Sequence, residues 1–335
     1  MFALVPRVMA AGILLLPSLA AAEPVSLKLS FISSDRSKIY EACIKPFVDA
    51  VNAEGIGLVH VETYLSGAIS GVEKQQPQIV SDDVADLAFI VPGSTADRFH
   101  DTSVLQLPGL FHGSREANFV FTSLVRAGLL SGYEDFHVVG AFVTGSVNIH
   151  SRKVITSIAD LKGLTIRINN PTHADLLQRF GAIPVILAMN KTTEAMISGR
   201  IDGAAFSPFL LTEFGLGRVT THHFMMGLGG APGALVMNRK KFESLPPAAQ
   251  AIIRKYGGER LADVAGQQLD AFDLDVLERL ETDPRRTVVY PSIADMKVIQ
   301  AAYDDLIAEY AGSSDHNRKL LAYVRGELGK LRPTE

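Results

Sequence analysis

Tryptophan is absent from the 335-residue chain, and cysteine occurs once, at Cys43. A single cysteine excludes an internal disulfide and a cysteine-rich metal site. Because Cys43 lies in a helical pattern, we interpret it as a small buried apolar residue. Lysine and arginine (32 residues) do not outnumber aspartate and glutamate (36 residues). The chain therefore lacks the basic excess that is typical of proteins that bind nucleic acid or anionic lipid.

Long apolar runs are also missing, except for one at the N-terminus. Arg7 is the only charge before Glu23, an apolar run follows from residue 8 to 19, and three alanines occupy positions 20–22. This order is typical of a secretory signal peptide, so we expect residues 1–22 to be removed. The run is too short to span a bilayer comfortably, so we expect no insertion into the membrane. The mature protein is then expected to be free in a bacterial periplasm.

What the chain does contain is a regular alternation of short apolar strands and amphipathic helices. This alternation is typical of parallel βαβ units and predicts an α/β fold. The predicted strands include residues 26–31, 58–64, 87–91, 137–144, 165–168 and 183–188, and the predicted helices include 37–53, 72–81, 114–130, 174–181 and 192–199. The length favours about two domains.

We expect two α/β lobes that enclose a ligand cleft. The first lobe is predicted over residues 23–145 and is completed by about 235–275, whereas residues 146–234 form the second lobe. Residues 276–335 are predicted to form a C-terminal helical segment that packs on the lobes. Small ligands of open α/β sheets bind at the carboxyl ends of the strands, so the cleft is the expected site.

Motifs for catalysis or cofactor binding are not evident. The glycine-rich stretch GLGGAPG (227–233) lacks the strand–GxGxxG–helix order of a dinucleotide site, and we interpret it as a crossover between two strands. His222 and His223 point to opposite faces of a strand and have no partner at metal-ligand spacing. A nucleophile elbow of the GxSxG type is also missing. We therefore predict no cofactor, no metal and no catalytic residue.

Arg167 lies in the short strand TIRI (165–168), between two isoleucines that form the opposite face. A guanidinium presents a rigid fork that matches a carboxylate through two hydrogen bonds. In an α/β lobe, helices normally cover both faces of the sheet, so a charge within a strand should point to a cleft or a partner. A solvated charge on an outer face is the alternative, and the pattern alone leaves both interpretations open.

Five segments resemble, in order, a known family. LKGLTIRINN (161–170) and FGAIPVILAMNKTTEAMISGRIDGAAFSP (180–208) are similar to the core signature of the DctP-type solute-binding proteins of tripartite ATP-independent periplasmic (TRAP) transporters. Residues 64–90, 104–121 and 236–253 resemble other segments of the same family, so the resemblance covers nearly the whole mature chain. It implies a type II periplasmic-binding-protein fold, in which two α/β lobes close around an organic acid, with a helical C-terminus.

The resemblance also implies ligand-binding residues. Arg167 matches the arginine that holds the ligand carboxylate, and Asn170 matches an asparagine that often contacts the ligand. Phe206 stands where sialic-acid-binding members carry a polar contact. Ser146 stands where those members hold a second arginine, and Asn148 lies on the same strand face.

These departures favour a more apolar or aromatic acid, which Phe206, Phe209 and Phe31 would suit. Glu73, near the start of a helix, could accept a hydrogen bond from a ligand hydroxyl or ammonium group. Alternatively, it is a favourable charge in a first helical turn.

The expected function is that of a monomeric periplasmic receptor, not an enzyme, that delivers an organic acid to a TRAP permease driven by an ion gradient. One alternative is a periplasmic enzyme on the same fold, with His150 or His173 as the acid or base near Arg167. Another is a sensory binding protein that signals to a receptor kinase.

Overall fold

The computed structural model describes residues 24–332, and the predicted signal peptide at residues 1–22 lies outside them. The strands are β1 (Val25–Ser30), β2 (Val59–Tyr64), β3 (Leu87–Ile90), β4 (Phe136–Val143), β5 (Asn148–Ser151), β6 (Thr165–Ile168), β7 (Ile183–Ile186), β8 (Gly203–Phe206), β9 (His222–Phe224), β10 (Pro232–Asn238) and β11 (Thr287–Val289). The α-helices are α1 (Lys45–Glu54), α2 (Gln76–Ser81), α3 (Ser114–Arg126), α4 (Pro171–Arg179), α5 (Met189–Ile197), α6 (Leu216–Val219), α7 (Arg239–Ser244), α8 (Pro247–Tyr256), α9 (Gly258–Thr282), α10 (Ile293–Ser313) and α11 (Asp315–Leu331).

The strands form two separate sheets. The first sheet has the order β2-β1-β3-β10-β4, and the second has the order β11-β9-β5-β8-β6-β7. In the first sheet, β10 runs antiparallel to both β3 and β4, whereas β1 is parallel to β2 and β3. In the second sheet, β5 is antiparallel to β8 and β9, whereas β6 is parallel to β7 and β8. The predicted α/β architecture is confirmed. Both sheets are mixed, however, because the strands next to the crossovers between the sheets pair in the antiparallel direction.

Two crossovers run side by side between the sheets. The chain passes from β4 to β5 through residues 144–147, and it returns from β9 to β10 through residues 225–231. The Val147 amide donates to the Gly229 carbonyl at 2.8 Å, and the Leu228 amide donates to the Val147 carbonyl at 2.7 Å. Gly229 has a φ of 103°, and a Cβ there would lie 2.3 Å from the Gln106 carbonyl oxygen. The predicted glycine-rich crossover is therefore present, and its glycine permits a close backbone approach.

The apolar core does not divide along the two sheets. Each of its two clusters of buried residues draws on both sheets: one contains Ile90 with Ile166, and the other contains Phe89 with Phe206. The two sheets are thus packed together in the structure, which brings the carboxyl ends of their strands face to face.

The C-terminal part of the chain is mainly helical, and one short strand, β11, interrupts it, as the sequence also predicts for residues 286–290. The periodic pattern after Pro246 is interrupted at Gly257 and Gly258, where Gly258 has a φ of 58°, and α9 begins as a separate helix of 25 residues. Helix α9 packs on α3 and β4 and also on the segment 208–215 that follows β8. It therefore contacts elements of both sheets. Strand β11 then pairs with β9 at the edge of the second sheet.

Candidate functional site

A cavity lies where the carboxyl ends of β3, β6 and β8 meet the beginning of β10. Its polar lining consists of four side chains from different elements: Glu73, Thr144, Arg167 and Asn169. The rest of the wall is apolar and includes Ile39, Cys43, Phe89, Val91, Phe142, Val147, Met189, Ala205, Phe206, Phe209, Leu210 and Leu269. The site is thus an aromatic cavity that contains one arginine, at the position where open α/β sheets bind small ligands.

Arg167 reaches this cavity from the middle of the second sheet. Its strand, β6, lies between β7 and β8, and the side chain is only 2% exposed. Its Nε donates to the Leu187 carbonyl at 2.7 Å, and its Nη1 makes a long contact of 3.5 Å with the Ala205 carbonyl. The guanidinium carbon also lies 4.4 Å from the centre of the Phe206 ring. These contacts hold the fork in one orientation, so the structure favours the cleft over a solvated outer face.

The charge of Arg167 is only partly compensated by its surroundings. Burial lowers the pKa of Arg167 to about 10, and the negative charge of Glu73 opposes this shift. The side chain therefore remains protonated at neutral pH. No salt bridge to Arg167 is present among residues 24–332. A buried cation without an ionic partner is costly, and a bound anion would remove that cost.

Glu73 approaches the cavity from the first sheet's side. It begins the short helix Glu73–Gln75, is 6% exposed and accepts a hydrogen bond from the Ser94 hydroxyl. A solvated charge in a first helical turn would be more exposed than this. The carboxylate therefore adds an acceptor to a wall that is otherwise apolar.

Aromatic rings form the first sheet's share of the wall. Phe89 of β3 and Phe142 of β4 stack with centroids 6.1 Å apart. Phe31, which follows β1, contacts Phe89 edge-on at 5.9 Å. Phe31 itself does not line the cavity. A flat apolar ligand ring would find a matching surface here.

The two asparagines that the sequence analysis predicted to bind the ligand, Asn148 and Asn170, do not line the cavity. Asn170 caps α4, because its Oδ1 accepts from the His173 amide at 2.8 Å. Its Nδ2 donates to Asn169 Oδ1 at 2.8 Å, and Asn169 is the residue that lines the cavity. Asn148 Oδ1 accepts from the Gly227 amide at 3.0 Å and thus braces the crossover. Of the six nominated residues, the structure brings Arg167, Glu73 and Phe206 to the cavity.

The histidines of the enzyme alternative are buried and do not line the cavity. His150 Nδ1 lies 2.8 Å from His223 Nδ1, and His150 Nε2 lies 3.1 Å from the Phe206 carbonyl. Burial lowers the pKa of His150 and of His173 to about 4, so both rings are neutral at neutral pH. Within residues 24–332, no group of three or more histidine, cysteine or acidic side chains is arranged to hold a metal ion.

Several lining residues were not found from the sequence. Phe89 lies in a strand that is buried on both faces, so its pattern does not alternate and gives no sign of which side chain faces a ligand. Phe142 likewise lies in a continuously buried part of β4. Asn169 directly follows β6, and a search for polar residues at strand ends could have identified it together with Asn170. Cys43 was predicted to be buried, and it is, at 1% exposure.

Two α/β lobes around a cavity at the carboxyl ends of the strands, with a helical C-terminus, define the type II periplasmic-binding-protein fold. The chain belongs to the DctP family, described as bacterial extracellular solute-binding protein, family 7, which matches residues 29–313. Proteins of this family in TRAP transporters bind small organic acids in the periplasm and work with a TRAP permease; they are not enzymes. The helices within the described range are each too short or too polar to cross a membrane.

Known relatives support this assignment. A solute-binding protein of Sulfitobacter sp. is 26% identical over 247 residues, which cover 71% of this chain and 72% of that protein. A marine metagenome TRAP solute-binding protein specific for aromatic acid ligands, solved with 3-hydroxybenzoate, is 26% identical, with a TM-score of 0.86 and coverage of 92% of this chain and 99% of that one. A TRAP solute-binding protein from Rhodoferax ferrireducens, solved with benzoate, is 24% identical, with a TM-score of 0.85 and coverage of 91% and 98%.

Proposed function

We propose that this protein is a periplasmic receptor that captures an aromatic monocarboxylate through Arg167 and delivers it to a TRAP permease driven by an ion gradient. The observation that carries the proposal is the buried Arg167 guanidinium, which has no ionic partner and faces an aromatic cavity. Nε is held by the Leu187 carbonyl, and Nη1 makes only the long contact with the Ala205 carbonyl, so the remaining N–H groups of Nη1 and Nη2 are left for the two carboxylate oxygens. A bidentate pair of this kind would fix the ligand's orientation.

The remainder of the cavity favours an aromatic ligand. Phe206 already lies against the guanidinium, and Phe89 and Phe142 form a stacked pair on the facing wall. The single arginine leaves a second carboxylate without a cationic partner in the lining. The marine metagenome relative, which is 26% identical, binds aromatic acids. A monocarboxylate with a planar ring therefore suits both the charge and the shape of this site.

The other nominated residues are assigned different roles in this proposal. Glu73 accepts a hydrogen bond from a hydroxyl or ammonium group on the ligand. Phe31 supports Phe89 from behind, Asn170 orients Asn169, and Asn148 braces the crossover. The effect of Phe31, Asn170 and Asn148 on binding is then indirect, through the residues that line the cavity, whereas Glu73 contacts the ligand directly.

Capture follows from the two-lobed architecture. The lobes open, Arg167 pairs with a carboxylate, and closure then excludes water from the pair, which strengthens it. The closed form is the one that the permease would recognise. We further propose cleavage after Ala22, a monomer in solution, and lobes that follow the boundaries 23–145 and 146–234, with 235–275 completing the first.

Calorimetric titration with benzoate, 3-hydroxybenzoate and succinate tests the proposal. We expect the two aromatic acids to bind and to be recovered unchanged. The variant Arg167→Ala should lose about 2–5 kcal/mol of binding free energy, the usual cost of removing one partner of a buried charge pair. Arg200→Ala, an exposed arginine of the same lobe, is the matched control and should bind as the wild type does. Full affinity in Arg167→Ala, or tighter binding of succinate, would contradict the proposal.

A further inference from the structure

The segment that follows β8 connects the ligand cavity to the opposite lobe. Phe209 and Leu210 of this segment line the cavity, and the segment then turns at Phe214, which has a positive φ of 48°. Just before this turn lies Glu213, which is only 5% exposed. Glu213 does not line the cavity, so a role for its charge must be found elsewhere.

Glu213 contacts the first lobe. Its Oε1 accepts a hydrogen bond from the Lys38 amide at 2.8 Å, and its Oε2 accepts one from the Ser33 hydroxyl at 3.2 Å. Both donors lie in the stretch that follows β1, in the first sheet, whereas Glu213 follows β8, in the second. The two bonds therefore cross from one lobe to the other.

The carboxylate depends on these hydrogen bonds for its compensation. Burial raises the pKa of Glu213, while the hydrogen bonds from residues 33–38 act in the opposite direction. The positive charge of Lys38 acts in the same direction as these hydrogen bonds, although its ammonium group pairs with Glu41 at 2.6 Å and lies 4.4 Å from the centre of the Phe272 ring. A buried carboxylate that loses its donors is costly until water replaces them. A separation of the two lobes that is too small to admit water would leave the carboxylate without hydrogen-bond donors. Such a separation is therefore energetically unfavourable.

The same segment is held at a second point, by a side chain of α9. The Phe209 amide donates to Asp273 Oδ1 on α9 at 2.8 Å. Glu213 and Asp273 thus hold a short segment from both ends, and Phe209 and Leu210 of this segment line the cavity. Movement of the segment would displace that wall.

We infer that Glu213 is a positioning residue that clasps the second lobe to the first through Ser33 and the Lys38 amide, and so slows ligand release without touching the ligand. This inference rests on the proposed function as a ligand receptor. It assigns retention to a contact outside the cavity, whereas Arg167 provides recognition inside it.

Stopped-flow dissociation of 3-hydroxybenzoate tests the clasp in Glu213→Ala and in the milder Ser33→Ala. We expect dissociation on the order of 10-fold faster in Glu213→Ala, and less than that in Ser33→Ala, with little change in the association rate. Glu194→Ala removes an exposed carboxylate of the same lobe and should release the ligand at the wild-type rate. An unchanged dissociation rate in both clasp variants would overturn the inference.

Spin-label distances separate failure of the clasp from failure of the proposed function. Labels at Ala53→Cys and Lys191→Cys report on the two lobes, in a Cys43→Ala background because Cys43 lines the cavity and would become accessible when the lobes open. In Glu213→Ala we expect a longer-distance population that exceeds the wild type's, with or without 3-hydroxybenzoate. Wild-type protein that fails to bind 3-hydroxybenzoate would contradict the proposed ligand class. Identical distance distributions for wild type and Glu213→Ala would overturn the clasp whether or not the ligand binds.

Discussion

The two walls of the cavity differ in how they are built. The second sheet's wall carries Arg167, whose fork is held by the backbone carbonyls of Leu187 and Ala205. The first sheet's wall consists mainly of stacked rings, with Glu73 as its one charged group. One wall is thus organised by polar contacts and the other by apolar packing.

Under the proposed function, this difference gives the two walls different tasks. A charged fork held by main-chain atoms recognises a carboxylate in any acid, so it supplies affinity with little selectivity. The aromatic wall responds to the shape of the rest of the ligand, so it supplies the selectivity. Three variants test this comparison, from the largest expected effect to the smallest.

A substitution of Asp273 tests how the second sheet's wall is held in place. Burial raises the pKa of Asp273 to about 7, against the hydrogen bond from the Phe209 amide and with help from the Asp270 carboxylate. The pKa of Asp273 is higher in the folded state than in the unfolded state. Its contribution to the free energy of unfolding is therefore complete below about pH 4 and is lost as the pH rises to about 7. Asp273→Asn should remove this dependence, which is on the order of 3 kcal/mol between pH 4 and 8.

Denaturant unfolding of wild type and Asp273→Asn at several pH values measures the effect. Asp263→Asn, on the same helix but paired with Arg115 at the surface, is the control and should follow the wild-type pH profile. If the unfolding free energies of wild type and Asp273→Asn depend on pH in the same way, the buried carboxyl does not hold this wall in place.

Arg167→Lys tests whether the fork, rather than the charge alone, recognises the carboxylate. A lysine keeps the positive charge but loses the planar pair of donors, so we expect benzoate affinity to fall by about 2 kcal/mol, or about 30-fold. Calorimetry gives this loss, and circular dichroism checks the fold. Equal affinities in wild type and Arg167→Lys would mean that charge alone is sufficient.

Glu73→Gln tests the selectivity of the first wall. A hydrogen bond to a charged acceptor is stronger than one to a neutral acceptor by about 1 kcal/mol. We expect the wild type to prefer 3-hydroxybenzoate to benzoate, and this preference should shrink by about 5-fold in Glu73→Gln. Competition titration measures the ratio, and Glu62→Gln, at an outer position of β2, serves as control. An unchanged ratio would remove Glu73 from ligand selection.

The local pattern predicted the elements well where apolar and polar residues alternate. Strand β6 coincides with the predicted residues 165–168, and the helix before Gly181 was also expected. The direction of β5 and β10 was not predicted, because pairing across the crossovers depends on contacts between residues far apart in sequence. At the site, Arg167 stood out as a charge within a strand, whereas Phe89 lay in a uniformly buried strand and gave no signal.

The sequence alone determined the alternation of strands and helices, the strand position of Arg167 and the family resemblance, because each depends on residues near one another in the chain. Only the tertiary structure decided which side chains share the cavity. It placed Asn169 at the cavity, because the lining brings together residues far apart in sequence, whereas the capping of α4 by Asn170 is a local contact with the His173 amide. It also paired Glu213 with Ser33, because burial and long-range hydrogen bonds exist only once the two lobes meet.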